Sequence, residues 1–530
     1  MNDSRRMLWW TLPALLVVAC ILAPGFAQAQ QTTTGIPCSE IASRHLLQQD
    51  NMRAGLTLIQ CGLVQGGSGE RGRGGEEEAP QPPNVQVSNR SCTSGSSCTH
   101  SESMVWASSA AGSQLVVVNY NDETGSGADY SGTSFSTDGG ATFTQIVPAP
   151  LGSGHGTNYG DPLVVYNQKL GKFFAGDLVT GCGGFGVGVW SSPDGQNWTA
   201  AGCPASIDDG DRPSMWVDNN PFSTKYGRMY VSFNNFAIDG GALFVSHSDD
   251  GQTWSTPSQL TTTFERDVQL TGAPPGPPAP NATYTSAVFL ASMDEMGGGL
   301  GMRQNLMFHS YDGGNTWTEV TVGSPFEGPG DGVCSSNSYF AKMNPIIRHM
   351  GWGQPAVGPN GVVHYDYATK GALSTGDIYY TRSTDNGNTW STPVLLNDPE
   401  TNQYQSHWMP SLSVNYTPGT FTQPQDVTAT WYDRRQATTS CVNATDPGCA
   451  YQRYAVQSSN NGATWGSNTA ISPVEPQPTQ DDPYIQSCYA GDYDYSTALN
   501  GNAYTTWTDG RVAVGGVQVQ NVFFAAQPEP

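Results

Sequence analysis

Ser310-Tyr-Asp312-Gly-Gly314-Asn-Thr316-Trp317 and Ser383-Thr-Asp385-Asn-Gly387-Asn-Thr389-Trp390 are two copies of one pattern, Ser-x-Asp-x-Gly-x-Thr-Trp. Ser136-Thr-Asp138-Gly-Gly140-Ala-Thr142-Phe143 is a third. Three stretches carry it in degenerate form: Ser191 to Trp198 with Pro193 at the Asp position, His247 to Trp254 with Asp249 and Gly251, and Ser458 to Trp465 with Asn460 for Asp. The copies start at 136, 191, 247, 310, 383 and 458, one structural unit per interval. The pattern suits a tight turn between two strands. A short polar side chain bonds its own backbone, a glycine takes φ > 0, and the Thr and Trp re-enter the sheet with the indole beneath the turn.

The composition agrees with many short strands. The 530 residues include 63 Gly, 14 Trp and 23 Tyr, and only 13% are charged. The segments between copies each read as an inner strand, a turn and a second strand. Examples are Pro213 to Asp218 followed by Met229 to Phe233, and Pro410 to Val414 followed by Val427 to Trp431. A further unit follows the last copy, with Tyr493 to Leu499, Ala503 to Trp507 and Gln520 to Ala525 but no outer strand, which Val85 to Ser88 can supply.

The pattern resembles the Asp box of bacterial neuraminidase (BNR) repeats, found in sialidases and related propellers, over roughly Val85 to Ala526. The resemblance implies an all-β, Asp-box β-propeller, with seven blades expected and six, the sialidase number, as the alternative. It also implies that each box closes the hairpin between the third and fourth strands of a blade, on the face opposite the active site, so that the box residues are scaffold.

Outside the repeats, Arg5-Arg6, an apolar run from Met7 to Leu22 and Ala27-Gln28-Ala29 read as a signal peptide over 1–29, with a lipoprotein site at Cys20 as the rival. Apolar residues at helical spacing between 37 and 63 predict a small helical hairpin over 30–65, and the Gly-, Glu- and Pro-rich run that follows predicts a linker over 66–84, leaving 85–530 for the propeller. Ten cysteines in an exported chain suggest disulfides. Local spacing pairs Cys38 with Cys61, Cys92 with Cys98, Cys182 with Cys203 and Cys441 with Cys449, and elimination leaves Cys334 for Cys488. No cysteine–histidine pattern supports a zinc site. The net charge of −23 argues against nucleic acid as a partner and, less strongly, against an acidic polymer. No membrane span is expected in the mature chain.

The strand order of a propeller brings the leading ends of the inner strands and the trailing ends of the second strands to one face. The first group carries Glu102, Asp161, Asp211-Arg212, Gln354, His407 and Asp492-Tyr493; the second carries Asp122, Asp177, Asp294, Asp366, Asp433 with Arg434-Arg435, and Asp509 with Arg511. A crowded ring of carboxylates there favours a general acid or attracts a cation such as calcium, although no cofactor is required; Asp at a strand end also simply caps turns. Sialidases hold the substrate carboxylate with three arginines and use a Tyr nucleophile assisted by Glu, with an Asp as acid/base. The shared face makes Asp211, Arg212, Asp433, Arg435, Asp492, Tyr493, Asp509 and Arg511 the candidate catalytic set, in which the resemblance implies Arg212, Arg434 or Arg435, and Arg511 as the arginine cluster and Tyr493 as the nucleophile. Asp211-Arg212-Pro213 departs from the family's Arg-Ile-Pro, and no Glu stands out as partner to Tyr493 except Glu102. The function implied is a secreted, sialidase-like propeller acting on extracellular glycans or glycoproteins as an exo-glycosidase. The alternatives are a non-catalytic glycan- or protein-binding propeller and a structural module at the cell surface.

Overall fold

A computed structural model describes residues 32–67, 84–88, 99–110, 112–123, 129–146, 151, 154–272, 286–335, 337–343, 346–358, 360–415, 425–443, 446–514 and 517–529. The expected signal peptide, Cys20, the bulk of the linker and the Cys92–Cys98 pair lie outside them.

Seven antiparallel four-stranded sheets make a seven-bladed β-propeller. The innermost strands of blades 1 to 7 are His100–Ala107, Leu163–Asn167, Gly210–Val217, Arg266–Gly272, Pro355–Val357, His407–Val414 and Thr497–Leu499. Blade 7 is completed by Val85–Gln86, which pairs antiparallel with Asn521–Pro528 in the register Val85↔Phe524 and Gln86↔Phe523. The ring therefore closes within blade 7, whose outer strand comes from the N-terminal side of the propeller and whose other three strands come from its C-terminal end. Asp494–Tyr495 adds a further parallel strand to the inner strand of blade 1.

The repeated pattern occupies the turn between third and fourth strands in six blades, as in Ser131–Ser136 to Thr144–Gln145. In blade 1 Ser136 Oγ accepts the Gly140 N–H at 2.8 Å, and Asp138 accepts from Thr142 N–H and Oγ at 2.9 and 2.6 Å. Blade 6 performs the same bonding with Asn460, which accepts the Thr464 N–H at 2.9 Å. Blades 2 and 3 differ from the sequence expectation, because their turns are one residue shorter and start one residue later. Ser192 and Asp194 do the bonding in blade 2, where Asp194 accepts the Asn197 N–H at 2.8 Å. Ser248 and Asp250 do it in blade 3, while Asp249 pairs with Arg228.

The motif glycine also sets blade spacing. Gly251 and Gly314 have φ of +76° and +88°, and a Cβ there would lie 2.2 Å from Phe174 and 2.8 Å from Tyr230 on the preceding blades. Only a residue without a side chain meets both demands. The core lies between blades, with Trp190, Trp408, Trp431 and Trp507 fully buried.

The N-terminal segment holds one α-helix, Met52–Gln60, capped by Asn51, whose side chain accepts the Ala54 N–H at 2.8 Å. The expected second arm of the hairpin is a 3₁₀ turn, Cys38–Glu40, followed by further turns. Disulfides join Cys38–Cys61, Cys182–Cys203, Cys334–Cys488 and Cys441–Cys449. Of the residues expected to open the linker, Gly66 stands opposite Gln486 in an antiparallel bridge and Gly67 donates its N–H to the Asp482 and Ile485 carbonyls at 2.8 and 3.0 Å. Among the described residues no helix is long and apolar enough to cross a membrane.

Candidate functional site

The inner strands begin with a shared irregularity. Glu102, Asp161, Arg212, Asp267 and Met409 stand at equivalent positions in blades 1, 2, 3, 4 and 6, and all have φ between +44° and +66°. In blades 1, 3, 4 and 6 the pairing register shifts across that position. A bulge of this kind bends the strand and re-aims one side chain, at a cost in backbone strain that clusters at functional sites. Here it concentrates polar groups at the mouth where the inner strands start, called the upper mouth.

Three fully buried arginines meet there. Arg212 contacts Asp50 from Nη1 at 3.2 Å and Asp267 from Nη2 at 3.3 Å, and donates from Nη2 to the Tyr495 hydroxyl at 3.0 Å. Its guanidinium lies 3.9 Å from the centre of the Trp352 ring and 4.6 Å from that of Tyr493. Arg266 reaches Asp50 at 2.8 Å and Asp211 at 3.1 Å through Nη1. Arg348 holds Asp492 with Nε and Nη2 at 2.8 and 2.6 Å, and the same Nη2 donates to the Asp50 carbonyl at 2.6 Å.

The arginines choose which acid ionises. Burial alone would raise the Asp50 carboxyl, yet Arg266, Arg212 and Arg348 outweigh it and hold Asp50 at about 2. Burial also raises Asp211, Asp161 and Glu102, reinforced by Asp50 for Asp211 and Asp161 and by Asp492 and Asp161 for Glu102, to well above the carboxyl range. Asp267 is raised by burial, against Arg212, to about 6. The mouth thus sets carboxyls that burial pushes toward their protonated form beside three guanidinia, a pattern suited to a general acid. Burial likewise pushes Tyr493 up, so its hydroxyl keeps its proton at rest.

Of the eight residues expected in the site, four come together here. Asp211, Arg212 and Asp492 belong to the arginine cluster, and Tyr493 lies under Arg212 and stacks on Tyr495 at 4.8 Å. The other four do not, which corrects the expectation. Asp433 accepts the Trp431 indole N–H at 3.0 Å and pairs with Arg435, which also meets Asp398. Asp509 accepts the Trp507 indole N–H at 3.0 Å and pairs with Arg511, which meets Glu475. The two sets repeat one constellation, Trp-x-Asp-x-Arg, at the same strand end of adjacent blades, and they fasten blade edges. Asp122 and Asp177 also bond within and between strands, to Gln145 and to Ser131 and Asn158, so the strand-end acids form local caps rather than a ring.

Asp50, Arg266, Asp267 and Arg348 escaped the sequence reading. For Arg266-Asp267 the signal was present, because the pair opens the inner strand of blade 4 as Asp211-Arg212 opens that of blade 3. Arg348 and Asp50 lie outside the repeats and carry no such signal. As for a cation, Asp50, Asp161 and Asp211 have oxygens within 4.8 Å of one another, but Arg212 and Arg266 already sit on them, and guanidinia beside a divalent ion repel it.

A cavity away from this mouth is walled by Trp106, Trp216, Leu270, Ala356, Leu412 and Leu499 near the far ends of the inner strands. Its lining mixes apolar with Ser, Asn and Gln side chains but holds no Asp, Glu, His, Lys or Arg, whereas the upper mouth gathers the charged groups described above. Tyr495 joins the two, its ring facing the cavity and its hydroxyl receiving Arg212.

No family model and no curated protein matches the chain. Solved structures similar to it include an α-L-arabinofuranosidase from Fusarium graminearum, with 11% identity and a TM-score of 0.40, covering 66% of this chain and 92% of that one. A protein of unknown function from Dyadobacter fermentans has 11% identity and a TM-score of 0.42, covering 85% and 99%. A polysaccharide lyase, an ulvan lyase, has 11% identity and a TM-score of 0.41, covering 81% and 94%. At these identities the likeness concerns the fold.

Proposed function

We propose that this chain is an exported, glycan-active Asp-box propeller of the sialidase-like kind, whose upper mouth receives a carboxylate-bearing sugar and hydrolyses its glycosidic bond. The observation that carries this reading is the convergence of Arg212 and Arg266 on one carboxylate group, the side chain of Asp50, with Arg348 beside them on the Asp50 backbone carbonyl, in a buried site. Charge-assisted bonds from guanidinium to carboxylate contribute about 1.5–3 kcal/mol each in such settings. The propeller fold alone hosts many functions and does not decide the matter.

In this reading the arginines anchor the sugar carboxylate and the aromatic faces of Tyr493 and Trp352 bound the ring. Glu102 or Asp161, each pushed by burial toward its protonated form, delivers a proton to the leaving oxygen as the glycosidic bond breaks. Tyr493 faces the anomeric carbon of the oxocarbenium-like transition state, and water then adds to that carbon and returns a proton to the carboxylate. Four disulfides among the described residues fit an oxidising compartment.

Because Asp50 fills the cage, the test uses the Asp50→Ala variant beside the unaltered chain. Both are incubated with an array of sialylated and uronate-containing glycans, with and without chelator, and released sugars are read by mass spectrometry. Release of a terminal acidic sugar, lost in Arg212→Lys, is the expected outcome. Retention of acidic glycans without release selects the binding propeller instead. Neither retention nor release by either protein removes the reading.

A further inference from the structure

The acid shared by Arg212 and Arg266 does not come from the propeller. It comes from residues 32–67, a unit with its own small core of Ile36, Ile41, Leu46, Ala54, Leu58 and Val64 and its own staple, Cys38–Cys61. The ring closes through Val85–Gln86, after this unit in the chain, so all seven blades are complete without it. It lies across the upper mouth: Arg44 forks onto Asp209 at 2.9 and 2.8 Å, Arg53 lies 4.5 Å from the Phe185 ring centre, Asn337 donates to the Leu47 carbonyl at 3.0 Å, and Asn51 donates to Asp211 at 2.7 Å. Met52 is its one side chain in the main propeller core.

We propose that residues 32–67 form an intramolecular inhibitor, in which Asp50 stands in for the ligand carboxylate and an acidic sugar enters only when that segment withdraws. The proposal rests on the reading of the upper mouth given above. Two features separate a stand-in from an ordinary buried ion pair. First, each arginine has an acid of its own in the blades, Asp267 for Arg212, Asp211 for Arg266 and Asp492 for Arg348, yet the carboxylate that Arg212 and Arg266 share, at 3.2 and 2.8 Å, is Asp50. Second, the cage is under-filled. Arg212 Nε, Arg266 Nη2, Arg348 Nη1 and the Tyr493 hydroxyl are buried and make no hydrogen bond among the described residues. Unmade bonds at buried donors are costly, and a sugar bearing ring and hydroxyl oxygens beside its carboxylate has acceptors for them where a single Asp side chain has too few. The segment's grip on the mouth is mostly polar and partly exposed at Arg44, which permits it to lift as one stapled body.

A closed majority state weakens apparent affinity in proportion to the open fraction, and loosening the segment restores it. Arg44→Glu turns the Arg44–Asp209 attraction into repulsion without touching the three arginines; Asp50→Ala removes the stand-in itself. Binding of free N-acetylneuraminate and of D-glucuronate is measured by calorimetry on the unaltered chain and both variants, with hydrogen exchange followed in the helix Met52–Gln60. At least one acid should bind roughly 10-fold or more tightly to Arg44→Glu than to the unaltered chain, and its addition should speed exchange in the helix. If Asp50→Ala does not fold, Arg44→Glu decides alone. Equal affinity for the unaltered chain and the variants overturns the inhibitor while leaving the site. No binding to any of the three overturns both.

Discussion

Gly251 and Phe174 belong to adjacent blades, and a Cβ on the glycine would lie 2.2 Å from the phenylalanine ring. The repeated motif is therefore more than a turn: its glycine is where one blade's lower turn rests on the aromatic of the blade before it.

This contact predicts a difference between two glycines. Gly251→Ala suffers both the left-handed backbone, with φ at +76°, and the overlap with Phe174, whereas Gly501→Ala suffers only the backbone, with φ at +80° and nothing within 4 Å. The overlap should cost Gly251→Ala roughly 1–3 kcal/mol more than the control in denaturant unfolding. Equal costs would show that the blades are not spaced by this contact.

Asp366 predicts a pH dependence. Burial raises its carboxyl to about 8, only partly offset by the Gln354 N–H and by Arg453, and its Oδ2 makes no hydrogen bond among the described residues. In the unfolded chain the group returns to about 3.9. The folded state thus holds one more proton than the unfolded state between those values. The contribution is whole below about pH 4, falls by at most about 1.4 kcal/mol per pH unit as pH rises toward 8, and is lost above that. Asp366→Asn should flatten this part of the stability profile between pH 5 and 8. A profile with unchanged slope would show that Asp366 is ionised in the fold.

The repeats made the fold legible because each motif marks one blade, and the orphan strand pattern after Ser458 to Trp465 called for Val85 to Ser88 to complete it. Local hydrogen bonding at Asp312 or Asp385 depends only on neighbours in sequence. The site was legible in part, for the opposite reason. Arg212 and Tyr493 announced themselves by position at the start of inner strands, but position alone did not tell a channel residue from a blade-edge clamp. Arg435 and Arg511 were expected in the site by their position, and the Trp-x-Asp-x-Arg frame in which both recur, a signal the sequence reading did not use, accompanies their pairing with Asp398 and Glu475 at the blade edges. Arg348 and Asp50 belong to no repeat and reach the mouth only through the three-dimensional path of connecting segments.

That division yields the last prediction, which sets the Arg348–Asp492 pair against Arg435–Asp398. The first pair is bidentate, with side chains 2% and 0% exposed, so removing one partner strands a charge away from water. The second pairs Arg435 with an Asp398 that is 63% exposed, where solvent screens the attraction and either partner can be rehydrated. Arg348→Met alone should cost about 3–5 kcal/mol, the usual penalty for breaking a buried pair, and much of that should return when Asp492→Asn removes the stranded charge. The double-mutant cycle for Arg348 and Asp492 should therefore give a coupling of about 2–3 kcal/mol, against less than about 1 kcal/mol for Arg435→Met with Asp398→Asn. Both cycles are measured by denaturant unfolding at neutral pH. Couplings of similar size would place Arg348 with the blade-edge arginines and dissolve the three-arginine cluster as a distinct site.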